Sequence, residues 1–140
     1  MARNVVVDTG PLVAWLNARD GQHRWAKSQF ARLRPPLLTC EPVLVETAFL
    51  VQRAGGAPSI VPALLVKGVL RVAISVESEA GHLEALMRRY RDVPMTLADA
   101  CLVRLSELVH DVAVMTLDTD FRVYRRNGRQ VIPLIAPGPA

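Results

Sequence analysis

The sequence predicts an α/β protein, a three-layer α/β/α sandwich around a central, mainly parallel sheet. Short apolar runs alternate with longer amphipathic segments along the chain, as in folds whose helices connect parallel strands. The first run, Val5 to Val7, contains only β-branched residues and is typical of a strand buried on both faces. The 140 residues, 51% of them hydrophobic, suffice for one domain with a large core.

Proline and glycine set most of the predicted element boundaries. Prolines open helices or stop them, and glycines follow helix ends. We predict strands over 4–7, 37–40, 70–74, 111–115 and 131–134, and helices from Gly10-Pro11 to 16, from Asp20 to Pro35-Pro36, and over 41–53, 59–67, 78–91 and 96–109, with one or two helical turns over 120–125. The tail, 136–140, is expected to be loose.

Composition excludes several classes of protein. The net charge of +4 is too low, and the hydrophobic share too high, for a disordered chain. Two cysteines and three histidines do not fall at metal-ligand spacing, which disfavours zinc fingers, iron–sulfur sites and disulfide scaffolds. Fifteen of the 17 cations are arginines, which suit phosphate, although an arginine-rich genome would explain the same bias.

We expect a cytoplasmic protein that does not enter a membrane. The first four residues lead into a short strand rather than into the apolar core of a signal peptide. The apolar stretches are all interrupted before the roughly 18 residues that a membrane span needs. Cys40 and Cys101, which show no pairing pattern, agree with a reducing compartment.

Four of the 13 acidic residues stand in apolar surroundings. Asp8 and Asp118 follow predicted strands, at the edge of the sheet where open α/β proteins bind ligands. Glu46 and Asp99 lie within apolar stretches of predicted helices. Each has a structural alternative: Asp8, Asp99 and Asp118 fit helix or turn caps, and Glu46 fits half of an ion pair.

Glu46 is the least easily explained as a structural residue. Its neighbours from Val43 to Leu50 are mostly apolar, so we predict that it is buried, where an unpaired carboxylate costs several kcal/mol. Pairing with Arg53 or Arg104 would explain Glu46 but not four such acids. Mg²⁺ or Mn²⁺, which prefer oxygen ligands, would explain all four. A metal-bound water hydrolyses phosphodiesters without a protein nucleophile.

The acidic motifs resemble those of the PIN-domain ribonucleases, above all the small bacterial VapC-type toxins. The resemblance covers roughly residues 3–135, and its strength comes from four weak motifs in the right order. These are Val7–Ala14 with Asp8, the helix that contains Glu46, Leu97–Ala100 with Asp99, and Thr116–Phe121 with Asp118.

The resemblance implies a single PIN-like nuclease domain over 1–135 that cleaves RNA with Mg²⁺ or Mn²⁺. It assigns catalysis and metal binding to Asp8, Glu46, Asp99 and Asp118, and leaves Asp120 as a further metal ligand or a turn cap. Thr116 matches a frequent hydroxyl position that orients a carboxylate or substrate. Thr9, at the strand-to-helix turn, is expected to help position substrate mainly through its backbone. Such toxins dimerise and are held by a small antitoxin, so the implied partners are RNA, an antitoxin and a second copy.

A basic segment follows the last acidic motif. Arg122 and three further arginines, at 125, 126 and 129, are placed to hold RNA phosphates beside Asp118. A solvated helix surface explains the same residues equally well. We take Arg122 as the candidate for positioning substrate.

Two other functions stay open. A PIN-like module that binds RNA or protein without catalysis would keep the fold and the arginines, but it would not need all four acids. An aspartate-based phosphotransfer enzyme shares the strand-end aspartates. Phosphatases of that kind need a second aspartate where Gly10 stands, and receiver domains need a lysine later in the chain, whereas none follows Lys67.

Overall fold

The computed structural model describes residues 2–138, in which seven short strands and six helices are found. The strands are β1 (Asn4–Val7), β2 (Leu37–Thr39), β3 (Leu70–Val72), β4 (Val112–Met115), β5 (Arg125–Arg126), β6 (Gln130–Val131) and β7 (Leu134–Ile135). The helices are α1 (Thr9–Leu16), α2 (His23–Arg32), α3 (Glu41–Arg53), α4 (Ile60–Val66), α5 (Ala80–Arg89) and α6 (Leu97–Leu108). A single 3-10 turn covers Thr119–Arg122.

Five strands form one sheet in the order β3-β2-β1-β4-β7. Every neighbouring pair is parallel, which confirms the predicted fold class. The longest pairing joins β1 to β4, from Asn4 opposite Val112 to Val7 opposite Met115. The chain proceeds from β1 toward one edge of the sheet and later returns to the other side of β1. The switch point of the sheet therefore lies between β1 and β4, where such folds bind ligands.

Helices cover both faces of this sheet. Connections between parallel strands are right-handed, so the helices that precede β3 lie on one face, and α5 and α6, which follow it, lie on the other. In agreement, α1 contacts α2 and α3, while α5 contacts α6. These are the three layers that the sequence predicts.

The most deeply buried helix is α6, which packs on β1 and β4. Eight of its 12 residues are buried, Asp99 among them. Residues 101–103 and Leu105 are completely inaccessible, as expected for a helix that is apolar almost all round. The core therefore holds the first turn of α6 rigidly against the switch point.

The predicted last strand, 131–134, is wrong as a single element. Val131 pairs with Arg125 in the antiparallel hairpin β5–β6, whereas Leu134 pairs with Val114 in the parallel sheet. Pro133 separates the two pairings, since proline has no N–H to donate to a ladder. The prediction of a helical turn over 120–125 is confirmed only as the shorter 3-10 turn.

The hairpin itself carries a signal that the prediction overlooked. Asn127 and Gly128 both have positive φ angles, 51° and 80°. Asn-Gly is the residue pair that most strongly favours a tight hairpin turn. The backbone N–H of Asn127 also donates to Glu107 Oε2 at 2.6 Å, which fastens the turn to the end of α6.

Met1, Pro139 and Ala140 lie outside the described residues. The loose tail predicted over 136–140 can therefore be followed only to Gly138, and Ala136 to Gly138 continue β7 without regular structure. Across the described part of the chain, no helix has the length and apolar character that crossing a bilayer requires.

Candidate active site

The switch point brings together the carboxyl ends of β1 and β4, and with them two of the predicted acids. Asp8 directly follows β1, and its backbone N–H donates to the carbonyl oxygen of Met115 at the end of β4 at 3.0 Å. Asp118 stands three residues beyond Met115. Asp8 and Asp118 lie close together because β1 pairs in parallel with β4, a pairing that the sequence alone does not show.

Asp8 is 8% exposed and is held by two hydrogen bonds. The Thr9 N–H donates to Oδ1 at 2.7 Å and the Thr116 hydroxyl donates to Oδ2 at 2.7 Å. Burial raises the pKa of Asp8 to about 6, against the opposing effect of these two bonds, and the charges of Asp99 and Asp118 raise it further. A cation bound beside Asp8 would favour the ionised carboxylate and so lower this raised pKa.

Thr116 connects two of the acids. It is 1% exposed, and while its hydroxyl donates to Asp8, the same oxygen accepts the Asp118 N–H at 3.0 Å. The hydroxyl thereby fixes the distance between the end of β1 and the turn after β4. This contact supports the predicted positioning role of Thr116, directed at carboxylates.

Asp99 is 8% exposed and begins α6 with a capping box. The Thr96 hydroxyl accepts the Asp99 N–H at 3.1 Å, and Asp99 Oδ2 accepts the Thr96 N–H at 3.1 Å. The Tyr124 hydroxyl donates to the same Oδ2 at 3.1 Å. Oδ1 is thus left for a further partner.

Tyr124 is a site residue that the sequence analysis missed. Its side chain is fully buried, and burial together with the nearby charge of Asp99 raises its pKa above the ordinary value, so it remains a proton donor to Asp99. The only sequence signal is its place four residues beyond Asp120. A buried tyrosine generally needs a hydrogen-bond partner, but the sequence does not show which acid supplies it.

Asp118 and Asp120 form the outer part of the group. Asp118 Oδ1 accepts the Asp120 N–H at 2.8 Å and so caps the 3-10 turn. Repulsion by Asp118, followed by burial and the charge of Asp99, raises the pKa of Asp120. We call Asp8, Asp99, Asp118 and Asp120 the carboxylate cluster.

The three aspartates that the sequence also allows as helix or turn caps do form such caps. Asp8 caps α1, Asp99 caps α6 and Asp118 caps the 3-10 turn. A carboxylate has two oxygens with about four acceptor positions, and a cap uses one of them. Capping and ligand binding are thus compatible, since the caps orient the carboxylates that meet at the switch point.

Glu46 is exposed, so the prediction that it is buried is wrong. Its neighbours Val45 and Phe49 are also exposed, at 71% and 54%, because no element among residues 2–138 covers the face of α3 that carries them. Glu46 still lies beside the cluster, since the Thr9 hydroxyl approaches its Oε2 at 3.4 Å.

The predicted arginine partners of Glu46 are engaged elsewhere. Arg104 pairs with Glu79 at 2.6 Å and with Glu107 at 3.1 Å. The Arg53 guanidinium lies 5.7 Å from the centre of the Phe49 ring. Within residues 2–138 Glu46 forms no ion pair, so its placement near Thr9 is not explained by charge pairing inside the chain.

The donors of the cluster are all oxygens, which fits a hard cation such as Mg²⁺ or Mn²⁺. Over the described range no three His, Cys, Asp or Glu side chains converge closely enough to hold an ion by themselves. Mg²⁺ does not require such a set, because it commonly takes one or two carboxylates and completes its shell with water and substrate phosphate. Asp8 and Asp120 are each repelled by Asp99 and Asp118, and a cation would relieve that repulsion.

The sequence model of the PIN domain matches residues 5–127, a span that contains every acid of the cluster. The chain belongs to the PIN domain family. A crystal structure of VapC20 from Mycobacterium tuberculosis, described as a sarcin-ricin-loop-cleaving toxin, is similar to this PIN domain, with a TM-score of 0.76 and 27% sequence identity over 93% of this chain and 100% of that one. No curated protein sequence matches the chain significantly.

The arginines beside the site of this PIN domain differ in availability. Arg122 and Arg129 are exposed. Arg125 is occupied by its own backbone, because its Nη1 donates to the carbonyl oxygens of Arg122, Val123 and Tyr124 at 2.7, 3.2 and 3.1 Å. Among the arginines of the basic segment, Arg122 is the nearest in sequence to Asp118. Its guanidinium donates no hydrogen bond within residues 2–138, so it is available to a ligand.

Proposed function

We propose that this PIN domain is an endoribonuclease that hydrolyses RNA phosphodiester bonds with Mg²⁺ or Mn²⁺, and that it is the toxin of a type II toxin–antitoxin pair. The observation that carries the proposal is that the Thr116 hydroxyl joins Asp8 to Asp118 at the switch point, where the charge of Asp99 also acts on Asp8. Residues 1–135 would form the single nuclease domain. The similarity to VapC20, a sarcin-ricin-loop-cleaving toxin, supports the proposal.

Asp8 and Asp99 are the residues best placed to hold the metal ion, because hydrogen bonds fix both carboxylates before any ligand arrives. Asp118, Asp120 and Glu46 would complete the site. A bound Mg²⁺ or Mn²⁺ activates water and neutralises charge on the phosphate. Asp120, whose pKa is raised by Asp118, is suited to accept the proton of the attacking water at a carboxylate oxygen.

Substrate positioning falls to residues around the cluster. The exposed Arg122 would contact an RNA phosphate, which a guanidinium matches well. Thr9 lies between Asp8 and Glu46, where its hydroxyl approaches the Glu46 carboxylate at 3.4 Å. Thr9 therefore acts on the carboxylates, with its backbone N–H on Asp8 and its hydroxyl toward Glu46.

The partners of the proposed toxin are a small antitoxin protein and a second copy of the chain. The exposed Val45 and Phe49 give their face of α3 an apolar character that suits protein contacts. Val66 of α4 is exposed as well, at 88%. An antitoxin segment lying along α3 would reach Glu46 and cover the carboxylate cluster. We propose a cytoplasmic site of action, where RNA is available.

The test is cleavage of RNA by the purified chain with Mn²⁺, with EDTA and after Asp8→Asn. We expect EDTA to abolish cleavage and Asp8→Asn to lower it at least about a hundredfold, since the ion supplies several kcal/mol of charge stabilisation. Asp20→Asn, in the exposed turn between α1 and α2, is the matched control and should cleave as the wild type does. Undiminished cleavage by Asp8→Asn would reject the proposed site.

Two further measurements distinguish the remaining alternatives. A module that binds RNA without catalysis should take up no stoichiometric Mn²⁺ in isothermal titration, whereas the nuclease should. Expression of the wild type in a bacterial host should arrest growth, and expression of Asp8→Asn should not. Growth of both strains at the same rate would contradict the toxin assignment. It would not bear on the nuclease assignment, which the cleavage assay tests.

A further inference from the structure

A small cavity of about 240 Å³ adjoins the carboxylate cluster on the side of β7. The 3-10 turn with Asp118 and Arg122 forms one wall. The opposite wall is formed by Leu134 of β7 and by Ala136 and Pro137, which follow that strand. Since Asp118 lines the cavity and belongs to the cluster, a ligand in the cavity is directly connected to the proposed reaction centre.

The lining combines apolar surfaces with one cation. Leu117, Leu134 and Pro137 are apolar, and Arg122 is the cation, on the same wall as Asp118. The β7 strand is an edge strand, and its bonds to β4 are made by the carbonyl oxygens of Pro133 and Ile135. Leu134 and Ala136, two residues apart, both line the cavity.

We propose that this cavity holds one base of the RNA next to the scissile phosphate, and that Ala136 and Leu134 determine which bases are accepted. The inference rests on the proposed function and adds a subsite to it. A neutral, flat base suits apolar walls beside Asp118, whereas an anionic group would be repelled there. Single-stranded RNA is read by such contacts to splayed-out bases. Arg122 then contacts the phosphate that joins this base to the cut.

The size of the cavity supports one base rather than a larger ligand. Pockets for drug-sized molecules measure roughly 300–1,000 Å³, and this cavity is smaller. Leu134 and Ala136, which line the cavity, then limit by shape which base fits. The substrate class is thus a single nucleotide of an unpaired RNA strand, one position from the cleaved bond.

The experiment compares cleavage of a random-sequence RNA pool by the wild type and by Ala136→Trp, with the cleaved ends sequenced. Ala57→Trp, in the exposed loop between α3 and α4 at the opposite edge of the sheet, is the matched control. We expect the wild type and Ala57→Trp to share a base preference at one position adjacent to the cut. Ala136→Trp, which fills the cavity, should lose the preference at that position and keep any preference elsewhere.

A second measurement uses the wild type alone and does not depend on whether the variant folds. One short RNA cleaved in the first assay is resynthesised with an abasic nucleotide at each position in turn. Removal of the base that enters the cavity should lower kcat/KM roughly tenfold, because the apolar contacts of one buried base are lost. Abasic nucleotides two or more positions further away should change kcat/KM less than twofold.

The outcomes separate this inference from the proposed function. If the wild type cleaves no RNA, the nuclease assignment fails and the subsite fails with it. If the wild type cleaves but Ala136→Trp keeps the full base preference, or no abasic position adjacent to the cut matters, the subsite alone is overturned. A folded Ala136→Trp that cleaves normally yet no longer binds its antitoxin would assign the cavity to protein and would also overturn the base subsite.

Discussion

The inner and outer acids of the site are held in different ways. Asp8 and Asp99 are buried, and each accepts one hydrogen bond from a backbone N–H and one from a hydroxyl. Glu46 is exposed and has only the long contact from Thr9 at 3.4 Å. The hydrogen bonds of Asp8 and Asp99 thus fix these two carboxylates in position, and burial removes them from water. The Glu46 side chain, by contrast, is exposed and can change its conformation. For the proposed nuclease, we therefore expect the inner acids to locate the metal ion and Glu46 to adjust to it.

The largest effect of this difference is expected in stability against pH. Burial raises the pKa of Asp8 from 3.8 to about 6, so the unfolded chain releases this proton first as pH rises. As pH rises from below 3.8 to above 6 the folded state binds more protons than the unfolded chain, and over this whole range the Asp8 contribution to stability falls by about 3 kcal/mol, at about 1.4 kcal/mol for each pKa unit.

Chemical denaturation in EDTA, from pH 3.5 to 7.5, measures this contribution when the wild type is compared with Asp8→Asn. We expect similar stabilities at pH 3.5 and a more stable variant at pH 7.5, because asparagine keeps the cap and carries no charge. Saturating Mn²⁺ should reverse the order at pH 7.5. Parallel pH curves in EDTA would show that Asp8 is not held in a raised-pKa state.

The second effect concerns Thr116, which orients the inner acid. Thr116→Val removes the hydroxyl that donates to Asp8 and accepts from Asp118, and we expect cleavage to fall about 10- to 100-fold, as for other residues that support metal ligands. The bond from Thr116 lowers the pKa of Asp8, so its loss should move the acidic limb of the pH–rate profile to higher pH when Mn²⁺ is subsaturating.

Thr116→Ser is the matched control because it retains the hydroxyl and loses only a methyl group. It should restore most of the rate and the position of the acidic limb. A purely structural role for Thr116 would instead make both variants lose stability without any displacement of the pH profile.

A smaller effect on cleavage is expected at Glu46, the exposed acid. Glu46→Gln should lower cleavage about tenfold, less than Asp8→Asn, because an adjustable ligand is more easily replaced by water in the shell of Mg²⁺. Its unfolding midpoint should match that of the wild type, since exposed substitutions rarely change stability beyond about 0.5 kcal/mol. Glu41→Gln, exposed on the same helix, serves as the control. A loss equal to that of Asp8→Asn would erase the distinction between inner and outer acids.

The same contrast explains what the sequence could predict. The apolar run before Asp8 and the capping pattern around Asp99 are local signals, and both acids lie where those signals predict. The burial of Glu46 was predicted wrongly because apolar neighbours along a helix show that one face is covered without showing which. Val45 and Phe49 belong to the uncovered face, at 71% and 54% exposure.

Contacts between distant segments were beyond the sequence. The bond from Tyr124 to Asp99 spans 25 residues and the bond from Thr116 to Asp8 spans 108, and both depend on the order of the strands. The hairpin β5–β6, in contrast, was predictable from Asn127-Gly128. It was missed because the arginines around that turn were read as part of a helical surface.

The smallest effect is expected at Tyr124, the second hydroxyl that serves an inner acid. Tyr124→Phe removes one hydrogen bond to Asp99 Oδ2, which also accepts the Thr96 N–H at 3.1 Å. We expect stability to fall by about 1 kcal/mol and cleavage to fall only a few-fold, because the capping box keeps Asp99 in place. Denaturation and cleavage at saturating Mn²⁺ measure the two effects. If Tyr124→Phe lost as much activity as Thr116→Val, the backbone cap would not be what orients Asp99, and the two inner acids would both depend on their hydroxyl donors.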